Sequence, residues 1–281
     1  MYKIVNKQKI GEKIQSYEIY APEIAKNAKP GQFVIFRIDD KGERVPLTIV
    51  STNIRDGLVR VIFQETGKST EHFASLEEGN YIKDFVGPLG CYTKIKKYGT
   101  VVAVAGGVGV AEVLPVIKAL KKAGNKIITI VGARSRGLII LENELKEQSD
   151  LLLFATNDGT YGTKGFVTDI LEDIINREKV DMTYVIGPVP MMQAVAEITK
   201  KKCIYTLVSL NPIMLDGTGM CGACRVSING KIKFACVDGP EFDAHLVDWE
   251  ELISRLMLFK EFEKISYNKF KHEQECKCYK K

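Results

Sequence analysis

The sequence contains no run of about eighteen apolar residues, which excludes a conventional membrane-spanning helix. Its first stretch, MYKIVNKQKIGEKIQ, alternates polar and apolar residues and lacks the apolar core of a secretory signal. It also lacks a strong excess of either charge. Lysine and arginine number 40 against 35 acidic residues, a net charge of +5. Residues 260–281 supply +3 of that, from seven lysines and four glutamates. So even a balance is not the footprint of a nucleic-acid binder, and the mixed tail reads as a solvated or partner-contacting helix end. There is no internal repeat and no low-complexity tract. The expected location is cytoplasmic, with no membrane association. Seven cysteines there indicate a metal site or redox chemistry rather than disulfides.

What is present changes character along the chain. Residues 1–97 carry short alternating runs after turn signals, including QFVIFRI (32–38) after Pro30-Gly31, RVPLTIVS, and GLVRVIFQE after Asp56-Gly57. This spacing predicts a small antiparallel barrel or sandwich. From Thr100, five apolar strands alternate with amphipathic helices: TVVAVA, KIITIVGA, DLLLFAT, MTYVIG and IYTLVS. That rhythm predicts a five-stranded parallel sheet covered on both faces over residues 98–208. Residues 209–250 are rich in glycine and cysteine and too few to fold on an apolar core alone, so a metal centre is expected to stabilise them. Residues 251–281 form a C-terminal helix and tail.

Glycine-bearing loops after the first four parallel strands place a ligand along the carboxyl edge of the sheet. Gly106, Gly107, Val108 and Gly109 follow the first strand and open a helix, where backbone N–H groups and the helix dipole favour a pyrophosphate. The spacing is G-G-x-G rather than G-x-G-x-x-G, and a plain tight turn is the competing reading. Gly132, Ala133 and Arg134 follow the second strand, Asn157 and Asp158 the third, and Gly187, Pro188 and Met191 the fourth. Together they indicate a nucleotide site. Pro115 is expected near the first turn of the helix, where a missing N–H is tolerable.

The cysteine pattern is Asp216-x4-Cys221-x2-Cys224-x11-Cys236. Plant-type [2Fe-2S] clusters use C-x4-C-x2-C with a fourth cysteine further on, and here aspartate takes the first place. The small residues between allow backbone N–H groups to turn toward sulfides. The alternatives are a structural zinc site, a dithiol, and Asp216 as a plain Asp-Gly turn residue. Cys203, Cys276 and Cys278 are other possible fourth ligands. Cys276 and Cys278 otherwise read as free surface thiols, and Cys91 and Cys203 as buried packing residues.

This order of parts resembles the ferredoxin–NADP reductase superfamily. The resemblance is closest to the branch of small electron-transfer subunits of dihydroorotate dehydrogenase, sulfide dehydrogenase and NADH-dependent reduced ferredoxin:NADP oxidoreductase. RVPLTI looks like the family's flavin motif. The resemblance implies FAD contacts from Arg44, Val45, Pro46, Leu47 and Thr48, with Arg44 at the pyrophosphate and Thr48 near the reactive ring nitrogen. VIFQETGKST looks like the next flavin segment, implying Ile62, Phe63, Gln64, Ser69 and Thr70, the last two at the phosphates. GGVGVAEVLP resembles the family's nucleotide loop, except that Glu112 replaces a usual proline, and a carboxylate beside a pyrophosphate is unfavourable unless it points away. The implied chemistry is electron transfer between NAD(H), FAD and a [2Fe-2S] cluster, with a larger glutamate synthase-like subunit and ferredoxin as partners. NADP(H) stays open because Arg134, Ser135 and Arg136 could hold a 2′-phosphate. His245 is expected to be structural.

Overall fold

The computed structural model describes the backbone of residues 1–278 and side chains as far as His272. The side chains of Cys276 and Cys278 lie outside the described residues. The N-terminal region holds strands β1 (Tyr2–Gly11), β2 (Ile14–Tyr20), β3 (Phe33–Arg37), β4 (Val45–Thr48), β5 (Ser51–Asn53), β6 (Leu58–Gln64), β7 (Tyr81–Ile82) and β8 (Asp84–Leu89). Helices α1 (Pro22–Asn27) and α2 (Lys68–Ala74) interrupt them. The strands form two antiparallel sheets, ordered β5-β6-β2-β1-β7 and β4-β3-β8. The expected antiparallel barrel or sandwich is present as two sheets without hydrogen-bonded closure, packed around Tyr17, Phe36, Phe63 and Phe73, which are buried and in ring contact. Both edges of the smaller sheet contain a proline, Pro46 in β4 and Pro88 in β8. A residue without an N–H suits an edge strand and does not extend a ladder.

The second region runs β9 (Thr100–Gly106), α3 (Gly109–Lys122), β10 (Lys126–Ala133), α4 (Glu142–Gln148), β11 (Leu151–Thr156), β12 (Thr163–Lys164), α5 (Val167–Arg177), β13 (Met182–Ile186), α6 (Val189–Lys201) and β14 (Tyr205–Ser209). All five strands read from the sequence are present and mutually parallel. The sheet is nevertheless seven-stranded, ordered β12-β11-β10-β9-β13-β14-β17. Strand β17 (Glu241–Asp243), preceded by the hairpin β15 (Arg225–Ile228) and β16 (Lys231–Phe234), joins it antiparallel to β14. The two added edges are two and three residues long, too short to carry a periodicity signal. The order reverses between β9 and β13, and a cleft opens at such a switch point.

Pro115 lies inside α3, past its first turn. A proline there costs about 3 kcal/mol. Burial of Val110, Val113, Val116 and Ile117 on the same helix, at about 1.5–3 kcal/mol each, outweighs it. One apolar core runs from Phe33 and Ile35 through Val102, Val104 and Val185 to Cys224, Val226 and Cys236, so the cysteine segment is packed on both other regions. Arg60 on β6 reaches both carboxylate oxygens of Glu144 on α4 at 3.1 and 3.0 Å, tying the N-terminal sheet to a helix of the second region. The chain closes with α7 (Trp249–Met257) and α8 (Lys260–Cys278). The tail is not wholly solvated: α8 lies on α2 through Tyr267 and Lys271, both bonded to Glu71, and Phe270 beside His72.

Candidate functional site

A cleft of about 740 Å³ sits at the carboxyl ends of β9, β10, β11 and β13. It brings together Gly106, Gly107, Val108, Gly132, Ala133, Arg134, Asn157, Pro188 and Met191. Three further residues expected there do not line it. Gly109 is buried where α3 starts, Gly187 is buried under the loop, and Asp158 is turned to its own loop, accepting from Thr160. Those bonds hold the Asp158 carboxyl below the usual range. At Gly106 the backbone passes so close to α6 that a β-carbon would lie 2.6 Å from Met191 Sδ and 2.7 Å from Pro188 Cδ. Arg136 turns away from the cleft. It pairs with Glu142 at 2.9 Å and lies 4.3 Å over the Tyr161 ring, whose hydroxyl donates to Glu142 at 2.5 Å.

A second cleft of about 300 Å³ shares Gln64, Thr66 and Val108 with the first. Pro46, Leu47, Thr48, Ile62, Phe63 and Thr70 line it, together with Glu112, Asn211 and Met214. It continues past Thr66 and Thr70 into a third, of about 590 Å³, lined by Val45, Lys68, Ser69, Lys260, Lys264 and Tyr267. Arg44 stands apart, exposed and outside both lining sets. Ser69 is hydrogen-bonded to Glu43, and Thr70 Oγ1 accepts from the backbone N–H groups of Thr66 and Gly67 at 3.0 and 3.1 Å.

Glu112, Thr66, Asn211, Met214 and the α8 residues escaped the sequence reading. Glu112 was visible only as a departure from a motif. It does point away from the dinucleotide cleft, into the second one, where Thr48 donates a hydrogen bond to it. Solvent reaches it only partly. Burial, partly offset by the Thr48 bond, pushes it up to about 7. Behind it Tyr184 on β13 donates to Glu241 on β17 at 2.9 Å, and Thr93 donates to the same oxygen at 2.5 Å. Burial raises Glu241 as well.

The cysteine loop forms two pairs. Cys224 and Cys236 are buried with their sulfurs 3.2 Å apart. Asp216 accepts from the Thr218 N–H through Oδ1 and from the Cys221 N–H through Oδ2, each at 2.8 Å. The Thr218 bond leads in holding its carboxyl below the usual range. The N–H groups of Ala223 and Cys236 point at the sulfurs of Cys221 and Cys224, each at 3.5 Å. Gly217, at φ +77°, presses the loop on the small sheet, since a β-carbon there would lie 2.6 Å from Leu89 Cδ1. Among the described residues, no three His, Cys, Asp or Glu side chains converge as one metal site, so the four expected ligands are brought together only pairwise. Cys91 and Cys203, expected to be buried, are exposed. Cys203 sits at φ +53° in the turn before β14, and Cys91 donates to the Val237 carbonyl at 3.1 Å. His245 Nε2 is 3.0 Å from Thr199 Oγ1, a packing role. No helix among the described residues is long and apolar enough to cross a membrane.

Residues 211–248 match the iron–sulfur cluster binding domain of dihydroorotate dehydrogenase B, and residues 103–197 match the oxidoreductase NAD-binding domain. The dihydroorotate dehydrogenase B electron transfer subunit homolog of Thermotoga maritima is 48% identical over 95% of this chain and 94% of its own length. The electron transfer subunit of Desulforamulus reducens is 32% identical over 83% of this chain and 92% of its own. A chain in the solved structure of an NADH-dependent reduced ferredoxin-NADP oxidoreductase, described in work on flavin-based electron bifurcation, superposes with a TM-score of 0.91. It is 47% identical and covers 96% of this chain and 98% of that one. At these identities, and with a nucleotide cleft and a cysteine loop on one core, the chain is an oxidoreductase-type electron-transfer protein and belongs to the family of the dihydroorotate dehydrogenase B electron transfer subunits and ferredoxin–NADP oxidoreductase small subunits.

Proposed function

We propose that this chain is the small subunit of a flavin-based, electron-bifurcating, ferredoxin-dependent transhydrogenase. NAD(H) would sit in the first cleft, FAD in the second and third, and a [2Fe-2S] cluster in the cysteine loop. On this reading residues 1–97 serve the flavin, 98–208 the dinucleotide and 209–250 the cluster, with Lys260, Lys264 and Tyr267 of the C-terminal helix lining the flavin cleft. The observation that carries it is the adjacency of the clefts through Gln64, Thr66 and Val108. FAD fits the donor set: an apolar half formed by Pro46, Leu47, Phe63 and Met214 suits a ring system. The other half, with Lys68, Ser69, Lys260 and Lys264, suits phosphates. When bound, FAD supplies the conversion between hydride and single-electron transfer.

The cluster fits too. Two buried sulfurs 3.2 Å apart are close enough to be ligands of one soft metal ion. Cys224 with Cys236 would serve one iron and Asp216 with Cys221 the other, while the N–H groups of Ala223 and Cys236 favour charge on sulfur. Exposed Leu215, Met220 and Val237 rim the loop and offer an apolar contact to a larger flavin and iron–sulfur subunit, from which ferredoxin would be served. The matched cluster domain favours a second reading, the electron-transfer subunit of a dihydroorotate-oxidising enzyme.

Anaerobic purification tests the proposal. A coloured protein with about one flavin and two irons per chain, and a co-purifying glutamate synthase-like chain, is the expected result. A colourless, zinc-loaded protein would sink it, and a dihydroorotate-oxidising partner would install the second reading.

The dinucleotide choice follows from Arg136. Its guanidinium is held by Glu142 and Tyr161, so it is not available to a 2′-phosphate, and Arg134 alone lines the cleft. NADH is expected over NADPH. Glu142→Gln should release Arg136 and raise kcat/KM for NADPH about tenfold relative to NADH, equivalent to about 1.4 kcal/mol. An unchanged ratio would place the selection elsewhere.

A further inference from the structure

A hydride carries two electrons and one proton, whereas an iron–sulfur cluster passes electrons alone. A chain joining the two must release or take up one proton per dinucleotide: NADH gives NAD⁺, two electrons and H⁺. That proton belongs to the ring cleft, where one kind of transfer becomes the other, and the cleft is walled by Pro46, Leu47, Phe63, Leu210 and Met214. Among the described residues lining the dinucleotide and ring clefts, Glu112 is the one carboxyl, and no histidine, lysine, cysteine or tyrosine lines either.

We propose that Glu112 is the proton carrier of this site, exchanging its proton with the ring edge through the Thr48 hydroxyl. This rests on the flavin assignment above. With FAD held in this cleft and both of its electrons leaving, Thr48 Oγ1 would pass its proton to a Glu112 carboxylate oxygen and take up the proton given by the ring edge. The ring's N–H bond would break, an O–H bond would form on Glu112, and the hydroxyl would be restored. The reverse sequence returns the proton when two electrons arrive.

Three features support the role. Thr48 and Glu112 line the same cleft, and the Thr48 hydroxyl is near enough to favour the charged Glu112 carboxyl. Both forms of Glu112 are populated near neutral pH, because burial has brought it to about 7, the condition for a group that both gives and takes protons. The other titratable groups behind it are committed elsewhere. Tyr184 donates to Glu241, and Glu241 accepts from Thr93 as well. Neither Tyr184 nor Glu241 lines the ring cleft.

The test is rapid mixing of holoprotein with NADH and an excess of a one-electron acceptor, followed at flavin and cluster wavelengths. Flavin bleaching by hydride releases no proton, and the later passage of both electrons, one at a time through the cluster to the acceptor, releases one. In Glu112→Gln the second phase should slow on the order of 10²-fold. Its pH dependence centred near 7 and its solvent deuterium effect should disappear, and Glu112→Asp should restore part of the rate. A second phase in Glu112→Gln with wild-type rate and pH profile would overturn the proposal. Should Glu112→Gln lose its flavin, wild-type protein carrying ¹³C-labelled glutamate decides by infrared difference spectroscopy. A shifted protonated-carboxyl band between oxidised and reduced states supports the role, and its absence refutes it. Wild type that purifies without flavin fails the cleft assignment itself, a different outcome from a flavin-loaded protein with an indifferent Glu112.

Discussion

Cys224→Ser is expected to abolish delivery of electrons to a one-electron partner, by about 10³-fold or more, while NADH reduction of a hydride-accepting dye persists. The reasoning runs from burial to chemistry. Cys224 is 1% exposed and shares its core with Val226, Ala235 and Cys236. A serine hydroxyl there has the Cys236 sulfur for its nearest partner, and leaving it unsatisfied costs about 1–3 kcal/mol. Loss of the centre removes the folding energy that a short, glycine-rich segment draws from its metal. The hairpin β15–β16 should therefore become the first part of the chain to exchange its amide hydrogens. Because Cys224 is also a packing residue, Cys221→Ser is the cleaner companion: Cys221 is exposed, so loss of the cluster in that variant reports ligation rather than core damage. Iron content and the cluster's visible bands are the measurements, and a Cys221→Ser protein with full iron would remove Cys221 from the ligand set. Asp216 separates in the same way. Asp216→Asn keeps an acceptor for the Thr218 or Cys221 N–H but loses the anionic ligand. A cluster unaffected in Asp216→Asn and lost in Asp216→Ala would make Asp216 a loop cap.

Gly106→Val should raise the apparent KM for NADH by about 5- to 100-fold with iron content unchanged. The β-carbon would come within 2.7 Å of Pro188 Cδ and 2.6 Å of Met191 Sδ. Met191 can swing its flexible end aside, but Pro188, leading into α6, has no such freedom. Two further methyl groups would then stand at the cleft wall where the dinucleotide backbone is expected to approach. Overpacking of this kind costs about 1–3 kcal/mol, and each 1.4 kcal/mol is a factor of ten. Steady-state kinetics with NADH and a dye acceptor reads the effect. A variant with wild-type KM would show that the dinucleotide does not use the Gly106 loop.

The five core strands of the nucleotide sheet were legible because parallel strands buried on both faces are written as continuous apolar runs, as in TVVAVA. Its two edge strands were not, because two or three residues have no period. The pairing of β17 with β14 was hidden for a second reason: more than thirty residues of cysteine segment separate them in the chain. The flavin-side motif was readable as a string, yet Arg44, one residue before β4, stands outside the clefts while its neighbours line them. Exposed cysteines were misread because thiol burial is a statistical habit of the residue, not a pattern in the chain.

By itself the amino-acid sequence determined the class of chemistry. Spacing within one loop sets which backbone groups and side chains can reach a cluster or a pyrophosphate, and such spacing survives without knowledge of distant contacts. Only the tertiary structure decided how the parts are coupled. It turned Glu112 from a departure in the dinucleotide motif into a half-buried acid of the second cleft, beside Thr48. It locked Arg136 on Glu142 and Tyr161, and it laid α8 across α2. The physical reason is that ionisation and hydrogen bonding depend on what lies within a few ångströms in space, and these partners lie 64, 6, 25 and about 200 residues apart in sequence.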